Sequence, residues 1–174
     1  MFGKLKASGR KANRIALPEP FAQFVPSGDQ SQPWESIDEE RVVLAGRHAL
    51  ILIGPGGVED SGLWHEVQYV KWTANNRRLT VIWVQPGREP VVVTTETDDP
   101  RSLMEAITTR VEKTIVATRS FYTPTGVKVS ASIRRRVDGE LFSTLLADGD
   151  LSEDDRIKAD EIEQTLREEL GVED

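Results

Sequence analysis

Short apolar segments separated by turn-forming residues dominate the middle of this chain. The segments are rich in β-branched and aromatic residues, which favours strands, and glycine, proline and asparagine close each of them. This order predicts a small antiparallel β-domain in which consecutive strands pair. The segments span residues 48–53, 63–72, 79–84 and 91–95, and the breaks between them are 54–57, Asn75-Asn76 and Pro86-Gly87.

One amphipathic helix follows these strands, and we expect it to span residues 100–115. Asp99 is a favourable N-cap, and Pro100 suits the first helical position because its fixed φ matches the helix. Apolar side chains recur at four-residue spacing, which produces one apolar stripe that has to pack against a sheet. The stripe consists of Leu103, Ile107, Val111 and Ile115.

Strand patterns resume after this helix. Residues 127–133 alternate between apolar and polar side chains, which predicts a half-buried strand, and Asp138-Gly139 indicates a hairpin into residues 140–146. Ser152 is expected to cap a final acidic helix that Gly171 ends. Its predicted apolar stripe consists of Ile157, Ile162, Leu166 and Leu170.

The predicted fold class is therefore α+β. We expect about seven or eight mostly antiparallel strands that form a partly open β-barrel or sandwich, with the 100–115 helix packed on it and a C-terminal helix appended. The predicted core comprises Leu50, Leu52, Val67, Leu79, Val81, Trp83, Leu103, Ile107, Val111 and Ile133.

The N-terminal segment, residues 1–17, reads as a cationic amphipathic helix. It is followed by a proline-rich linker to about residue 36, which we expect to be extended and to lie across the domain. A helix of this kind can bind an anionic membrane surface or dock on a partner protein. The residues expected to carry this binding are Phe2, Lys4, Leu5, Lys6, Arg10, Lys11 and Arg14.

Three parts follow from these patterns: the N-terminal helix and linker at 1–36, the β-domain at 37–146 and the acidic C-terminal helix at 147–174. The net charge of the 174-residue chain is −7, which argues against broad nucleic-acid binding because phosphate contacts need a dense cationic face. The chain has no cysteine, which excludes disulfides and thiolate metal sites and fits a reducing cytoplasm. We expect a cytoplasmic protein, with peripheral membrane attachment as the alternative.

No motif in the chain assembles a recognisable reaction centre, so we expect no catalytic residue, no metal site and no cofactor. His65 lies in Trp64-His65-Glu66-Val67, but the position four residues on is Tyr69, so the zinc-helix spacing fails. His48 is expected to be a strand-end residue. The glycine-rich segment 54–57 lacks a following helix to hold a phosphate and is read as a hairpin turn. The arginines at 134–136 are read as a solvated strand end, because successive strand residues point to opposite faces.

The block Trp64-His65-Glu66-Val67, Trp72 and Leu79-Thr80-Val81-Ile82-Trp83-Val84, followed by an amphipathic helix, resembles an uncharacterised actinobacterial protein family with a pleckstrin-homology-like domain. The resemblance covers roughly residues 37–146. It implies a partly open barrel plugged by a helix, and a module that binds lipids, peptides or proteins rather than an enzyme. Phosphoinositide binding is not assigned to any residue, since no cluster of lysine and arginine stands in an early loop between strands.

The function expected from the sequence is a non-catalytic intracellular binding or scaffolding module with a protein partner. Two alternatives stay open. One is a peripheral membrane protein attached through its N-terminal segment, and the other is a small-ligand binder or cryptic enzyme at a barrel mouth near His48 or His65. Association between copies of the chain is also open, because an exposed strand edge or the acidic helix could pair.

Overall fold

The computed structural model describes residues 16–38 and 40–173 and has an α+β fold. The described residues form ten strands in three antiparallel sheets and three α-helices. Each sheet has two edges, so none closes into a barrel, and the strands outnumber the seven or eight expected for one barrel or sandwich. The strands are β1 (Trp34–Ile37), β2 (Arg41–Ala45), β3 (Ala49–Gly54), β4 (Gly57–Leu63), β5 (Val67–Thr73), β6 (Arg78–Trp83), β7 (Val91–Thr94), β8 (Ile115–Tyr122), β9 (Lys128–Arg135) and β10 (Leu141–Ala147), and the helices are α1 (Glu19–Ala22), α2 (Arg101–Glu112) and α3 (Glu153–Leu170).

The chain divides into two compact units. Of the described residues, one unit comprises those up to Leu63 together with Val70–Val81 and Pro90–Thr108, and the other comprises Trp64–Tyr69, Ile82–Glu89 and those from Thr109 onward. Every residue of the predicted core is buried except Val111, which is half-buried.

The first unit contains the meander β1-β2-β3-β4, whose strands pair in chain order. Buried residues of β2 and β3 pack with Leu17 and Val25, so the proline-rich segment does lie across the domain as predicted. That segment is not extended throughout, however, because α1 forms directly after Pro18. Proline is tolerated in the first helical turn, where its missing N–H has no partner to lose.

The glycine-rich segment forms a hairpin turn, as predicted. Gly54 pairs with Gly57, and Gly57 adopts a φ of 130°, which side-chain-bearing residues rarely reach. The segment 63–72 is not one strand, however. Leu63 ends β4, and Trp64–Glu66 form a 3₁₀ turn before β5 begins at Val67.

Two further turns contain a residue with a positive φ, and the sequence predicts the position of that residue in only one of them. The turn between β5 and β6 contains Asn75 and Asn76, but the left-handed residue is Arg77, with a φ of 51°. The β9–β10 hairpin turns at Gly139, whose φ is 92°, as Asp138-Gly139 predicts.

Helix α2 is shorter than the apolar spacing predicts. It ends at Glu112, and Ile115 is the first residue of β8 rather than the last residue of the stripe. The Thr114 hydroxyl donates to the carbonyl oxygen of Val111 at 2.7 Å, which satisfies a carbonyl at the helix end and favours termination there.

The second unit contains the sheet β10-β9-β8, with α3 packed on one face of it. Ser152 caps α3 by accepting a hydrogen bond from the Asp155 N–H at 3.1 Å, and Gly171 ends it in the left-handed conformation, as predicted. Leu166 is buried against Ala131 and Ile133. Ile157 is 52% exposed, so its place in the predicted stripe is wrong. Ala159, which lies on the sheet side of the helix, is buried instead.

Candidate binding surface

Strand β8 is the outer strand of its sheet, and it is the most exposed long strand of the second unit. It contains eight residues, none of which is buried. Tyr122 is 67% exposed and Val116 is 41% exposed. An outer strand with exposed apolar and aromatic side chains is an available partner for another extended chain.

The pairing register shows which backbone groups of β8 point away from β9. The Thr123 N–H donates to the Val127 carbonyl at 2.9 Å, and the strands pair without a shift from Ala117 to Tyr122. Hydrogen-bonded positions alternate in an antiparallel ladder, so the odd-numbered residues of this stretch bond to β9. The even-numbered residues direct their N–H and C=O groups outward. We call this outward row the β8 edge, and it consists of Thr118, Ser120 and Tyr122.

The two faces of β8 differ in chemistry. On one face, hydroxyl groups pair across the strands: Thr118 with Ser132 at 2.9 Å, and Ser120 with Ser130 at 2.8 Å. The opposite face lies under α3, where Arg119 donates to Glu169 at 2.6 Å. One row of any added strand would therefore meet hydroxyls, and the other would meet the side of a helix.

The outer strands of the first sheet are better protected against further pairing than β8 is. The outer side of β1 is bonded to the segment after β7, since Glu96 N–H donates to Ser36 C=O at 2.9 Å and Asp38 N–H donates to Thr94 C=O at 3.0 Å. Strand β4 contains Glu59 and Asp60, and its pairing with β3 shifts register between Leu52 and Ile53. Charges and bulges on an outer strand discourage further pairing. Strand β8 contains one charged residue, Arg119, which is ion-paired with Glu169, and its register shift is confined to the first residues, Ile115 to Ala117.

Arg134 contradicts the prediction of a solvated arginine triplet. It is 2% exposed, whereas Arg135 and Arg136 are exposed. Its guanidinium donates to the Val67 carbonyl at 2.7 Å, to the Trp64 carbonyl at 3.5 Å and to the Thr114 hydroxyl at 3.1 Å. Burial lowers the pKa of Arg134 to about 10, so the group stays charged at neutral pH. The acceptors of these hydrogen bonds are uncharged. The bonds attach the 3₁₀ turn and the start of β5 to strand β9.

His65 is buried in the same unit, with its ring edge-on to Phe142 at 6.0 Å between centroids. Burial lowers the pKa of His65, the nearby Arg136 and Arg134 add to this, and Glu66 and Asp138 oppose it. The imidazole is therefore neutral at pH 7. His48 lies exposed in the turn that precedes β3.

A cavity of about 480 Å³ lies at the end of the β9–β10 hairpin, beside the end of α3. Neither histidine is among the residues that line it. The Arg136 guanidinium lies over the Phe142 ring at 4.4 Å and forms an ion pair with Glu140 at 3.8 Å. The residues that line the cavity are Arg136, Glu140, Leu141, Phe142, Gly171, Val172 and Glu173.

The seven predicted binding residues of the N-terminal segment, Phe2 to Arg14, lie outside the described residues. Within residues 16–38 and 40–173, no group of three or more histidine, aspartate or glutamate side chains is placed to hold a metal ion. None of the helices in this part of the chain is long and apolar enough to cross a bilayer.

Comparison of the chain with protein-family models, with curated proteins and with solved structures finds no significant match. The sequence gives no signal that β8 lies at an edge of its sheet. Edge position depends on which strands become neighbours in the folded chain, and periodicity does not encode that.

Proposed function

We propose that this protein is a non-catalytic interaction module that captures an extended segment of a partner protein as a fourth strand beside β8. The outward row of backbone groups at Thr118, Ser120 and Tyr122 carries the proposal. Main-chain hydrogen bonds along such a row supply affinity, and the alternate side chains of the added strand supply specificity. We also propose that the domain is pleckstrin-homology-like. The sequence pattern of residues 37–146 supports this part of the proposal.

The β8 edge suits strand addition because its hydrogen-bonding groups are already extended and aligned. The hydroxyl pairs Thr118–Ser132 and Ser120–Ser130 fix β8 to β9, so little ordering of the protein is needed when a segment binds. An isolated two-stranded ribbon is marginal, whereas the three-stranded sheet backed by α3 is a stable template.

Selection of random peptides displayed on phage, with the whole chain as bait, tests this function. Ser120→Pro removes one outward N–H without removing a bond to β9, because proline is tolerated on an outer strand. Ser120→Ala is the matched control, since it loses the same hydroxyl and keeps the N–H. We expect enriched peptides to bind the wild type and S120A, and to bind S120P at least tenfold more weakly.

Enriched peptides that bind S120P as well as the wild type would overturn the proposal, and so would a selection that enriches nothing. If S120P unfolds, the backbone of the bound peptide is modified instead of the backbone of the protein. N-methylation of alternate amides of an enriched peptide removes its donors on one edge only, and one of the two methylation patterns should abolish binding.

A further inference from the structure

We infer that the segment captured at the β8 edge is β8 of a second copy of this chain, paired antiparallel across a twofold axis at Ser120. The inference rests on the proposed function, strand addition at β8, and names the partner. The two three-stranded sheets would then form one continuous sheet. Backbone pairing and the charges that lie along β8 both favour this arrangement.

Backbone geometry selects the register of two paired β8 strands. Thr118, Ser120 and Tyr122 direct their backbone groups outward, so they form the hydrogen bonds to an added strand. When Ser120 pairs with Ser120 of the second copy, Thr118 pairs with Tyr122, and every outward position of both strands has a partner. A shift of one residue in the position of the axis leaves one outward residue of each strand unpaired.

Two contacts place opposite charges of α3 over β8, two strand positions apart. Glu169 accepts a hydrogen bond from Arg119 at 2.6 Å, and the Lys158 ammonium lies 4.5 Å from the centre of the Phe121 ring. Arg119 and Phe121 are alternate residues of the strand, so both contacts lie on the same face of the sheet. An acidic group therefore accompanies position 119, and a basic group accompanies position 121.

The register centred on Ser120 makes these charges self-complementary. It places Arg119 opposite Phe121 of the second copy, in a non-hydrogen-bonded pair whose Cα atoms are about 4.5 Å apart. Glu169 accompanies the first of these residues and Lys158 of the second copy accompanies the other. The carboxylate and the ammonium therefore come together across the axis, and twofold symmetry repeats the contact.

The neighbouring registers bring like charges together instead. An axis at Arg119 places two copies of Arg119 directly opposite one another. An axis at Phe121 pairs the two Phe121 rings and brings together the two Lys158 side chains that lie over them. Like charges directly opposite are destabilising. Charge therefore favours the same register as the backbone.

The other face of β8 also fits a second copy. Tyr122 is 67% exposed, and in this register it lies opposite Thr118 of the second copy. Pairs of an aromatic and a β-branched residue across strands are favourable. The small Ser120 side chains meet at the axis, where each hydroxyl already pairs with Ser130 at 2.8 Å. No bulky side chain therefore stands between the two strands at the axis.

The dimer should be weak, because the paired strands form a small interface and each copy has a net charge of −7. Repulsion between the copies is screened at physiological salt, where the association is best measured. At low protein concentration the edge is free, so a segment of another protein can bind there in place of the second copy.

Sedimentation equilibrium of the full chain, at concentrations from about 1 to 200 μM, tests the inference. We expect a monomer–dimer equilibrium in the wild type. Ser120→Pro removes the outward N–H of both copies at the axis and should weaken the dimer at least tenfold. The matched control Ser120→Ala keeps this N–H and should dimerise like the wild type.

Charge reversal tests the register through two exposed side chains. Lys158→Glu or Glu169→Lys creates two like-charge contacts in a homodimer, so either change alone should weaken it about tenfold. An equimolar mixture of K158E and E169K restores opposite charges at both contacts. We expect this mixture to form a heterodimer of about wild-type affinity.

Matched controls make the same charge changes on the other side of α3. Arg167 donates to Ser143 of β10 at 3.0 Å, so the side of the helix that contains residue 167 lies toward β10. At 100° per residue, positions 156 and 163 lie within about 40° of position 167. Arg156→Glu and Glu163→Lys should therefore leave the dimer affinity unchanged.

The outcomes separate this inference from the proposed function. A chain that stays monomeric, while S120P still abolishes the binding of selected peptides, would overturn the second copy and leave strand capture in place. A dimer and peptide binding that are both insensitive to S120P would overturn both proposals. A mixture of K158E and E169K that associates no better than either variant alone would overturn the inferred pairing, and this measurement does not depend on the folding of S120P.

Discussion

The guanidinium of Arg134 donates a 2.7 Å hydrogen bond to the carbonyl oxygen of Val67, which lies 67 residues earlier in the chain. Arg134 is among the most deeply buried side chains of the protein, and two of its three acceptors are backbone carbonyls of the Trp64–Val67 segment. A buried charge is costly unless hydrogen bonds compensate it. The contact therefore fixes the 3₁₀ turn and the start of β5 relative to β9.

Replacing Arg134 should destabilise the fold strongly. Arg134→Ala leaves two buried carbonyl oxygens without their donor and opens a cavity, so we expect the free energy of unfolding in urea to fall by about 3 kcal/mol. Arg134→Met refills most of the volume but not the hydrogen bonds and should still lose about 2 kcal/mol. The exposed neighbour provides the control, since Arg135→Ala should change stability by less than about 0.5 kcal/mol. An R134M variant as stable as the wild type would refute the hydrogen-bond argument.

His65 should make stability depend on pH in the acidic range. Its pKa is lower in the folded protein than the ordinary value of 6.5, so the unfolded chain takes up the proton first. The stabilisation is complete above pH 6.5 and is lost as pH falls toward the lowered folded pKa. His65→Gln should flatten the change in unfolding free energy between about pH 7.5 and pH 5.5. An unchanged slope in H65Q would contradict the assignment.

The N-terminus of α3 should depend on the cap at Ser152. Its hydroxyl accepts from the Asp155 N–H, one of the helix donors that lacks a partner within the helix. Ser152→Ala should therefore lower the free energy of unfolding by about 1 kcal/mol. Thr165→Ala, in the exposed interior of the same helix, should be neutral or slightly stabilising because alanine has the higher helix propensity. Equal destabilisation by the two variants would show that the cap contributes little.

Leu166 should anchor α3 to the sheet, whereas Ile157 should not. Leu166 is 3% exposed and packs on Ala131 and Ile133, so Leu166→Ala should cost about 3 kcal/mol in thermal or urea unfolding. Ile157→Ala removes a side chain that is 52% exposed and should cost less than about 0.5 kcal/mol. A larger loss in I157A than in L166A would mean that α3 presents a different face to the sheet.

The sequence by itself determined the features that depend on neighbouring residues. The turns at Gly57 and Gly139, the cap at Ser152 and the end of α3 at Gly171 lie where the pattern places them, because each depends on local backbone preference. The burial of Val129, Ala131 and Ile133 follows from strand alternation in the same way.

Only the tertiary structure decided which of these elements became neighbours. Strand periodicity could not distinguish the buried Arg134 from the exposed Arg135, because its burial depends on acceptors that the Trp64–Val67 segment supplies from far away in the chain. The edge position of β8 likewise arises from strand order. Pairing between strands sets that order, so the surface proposed to bind a partner exists only once the chain has folded.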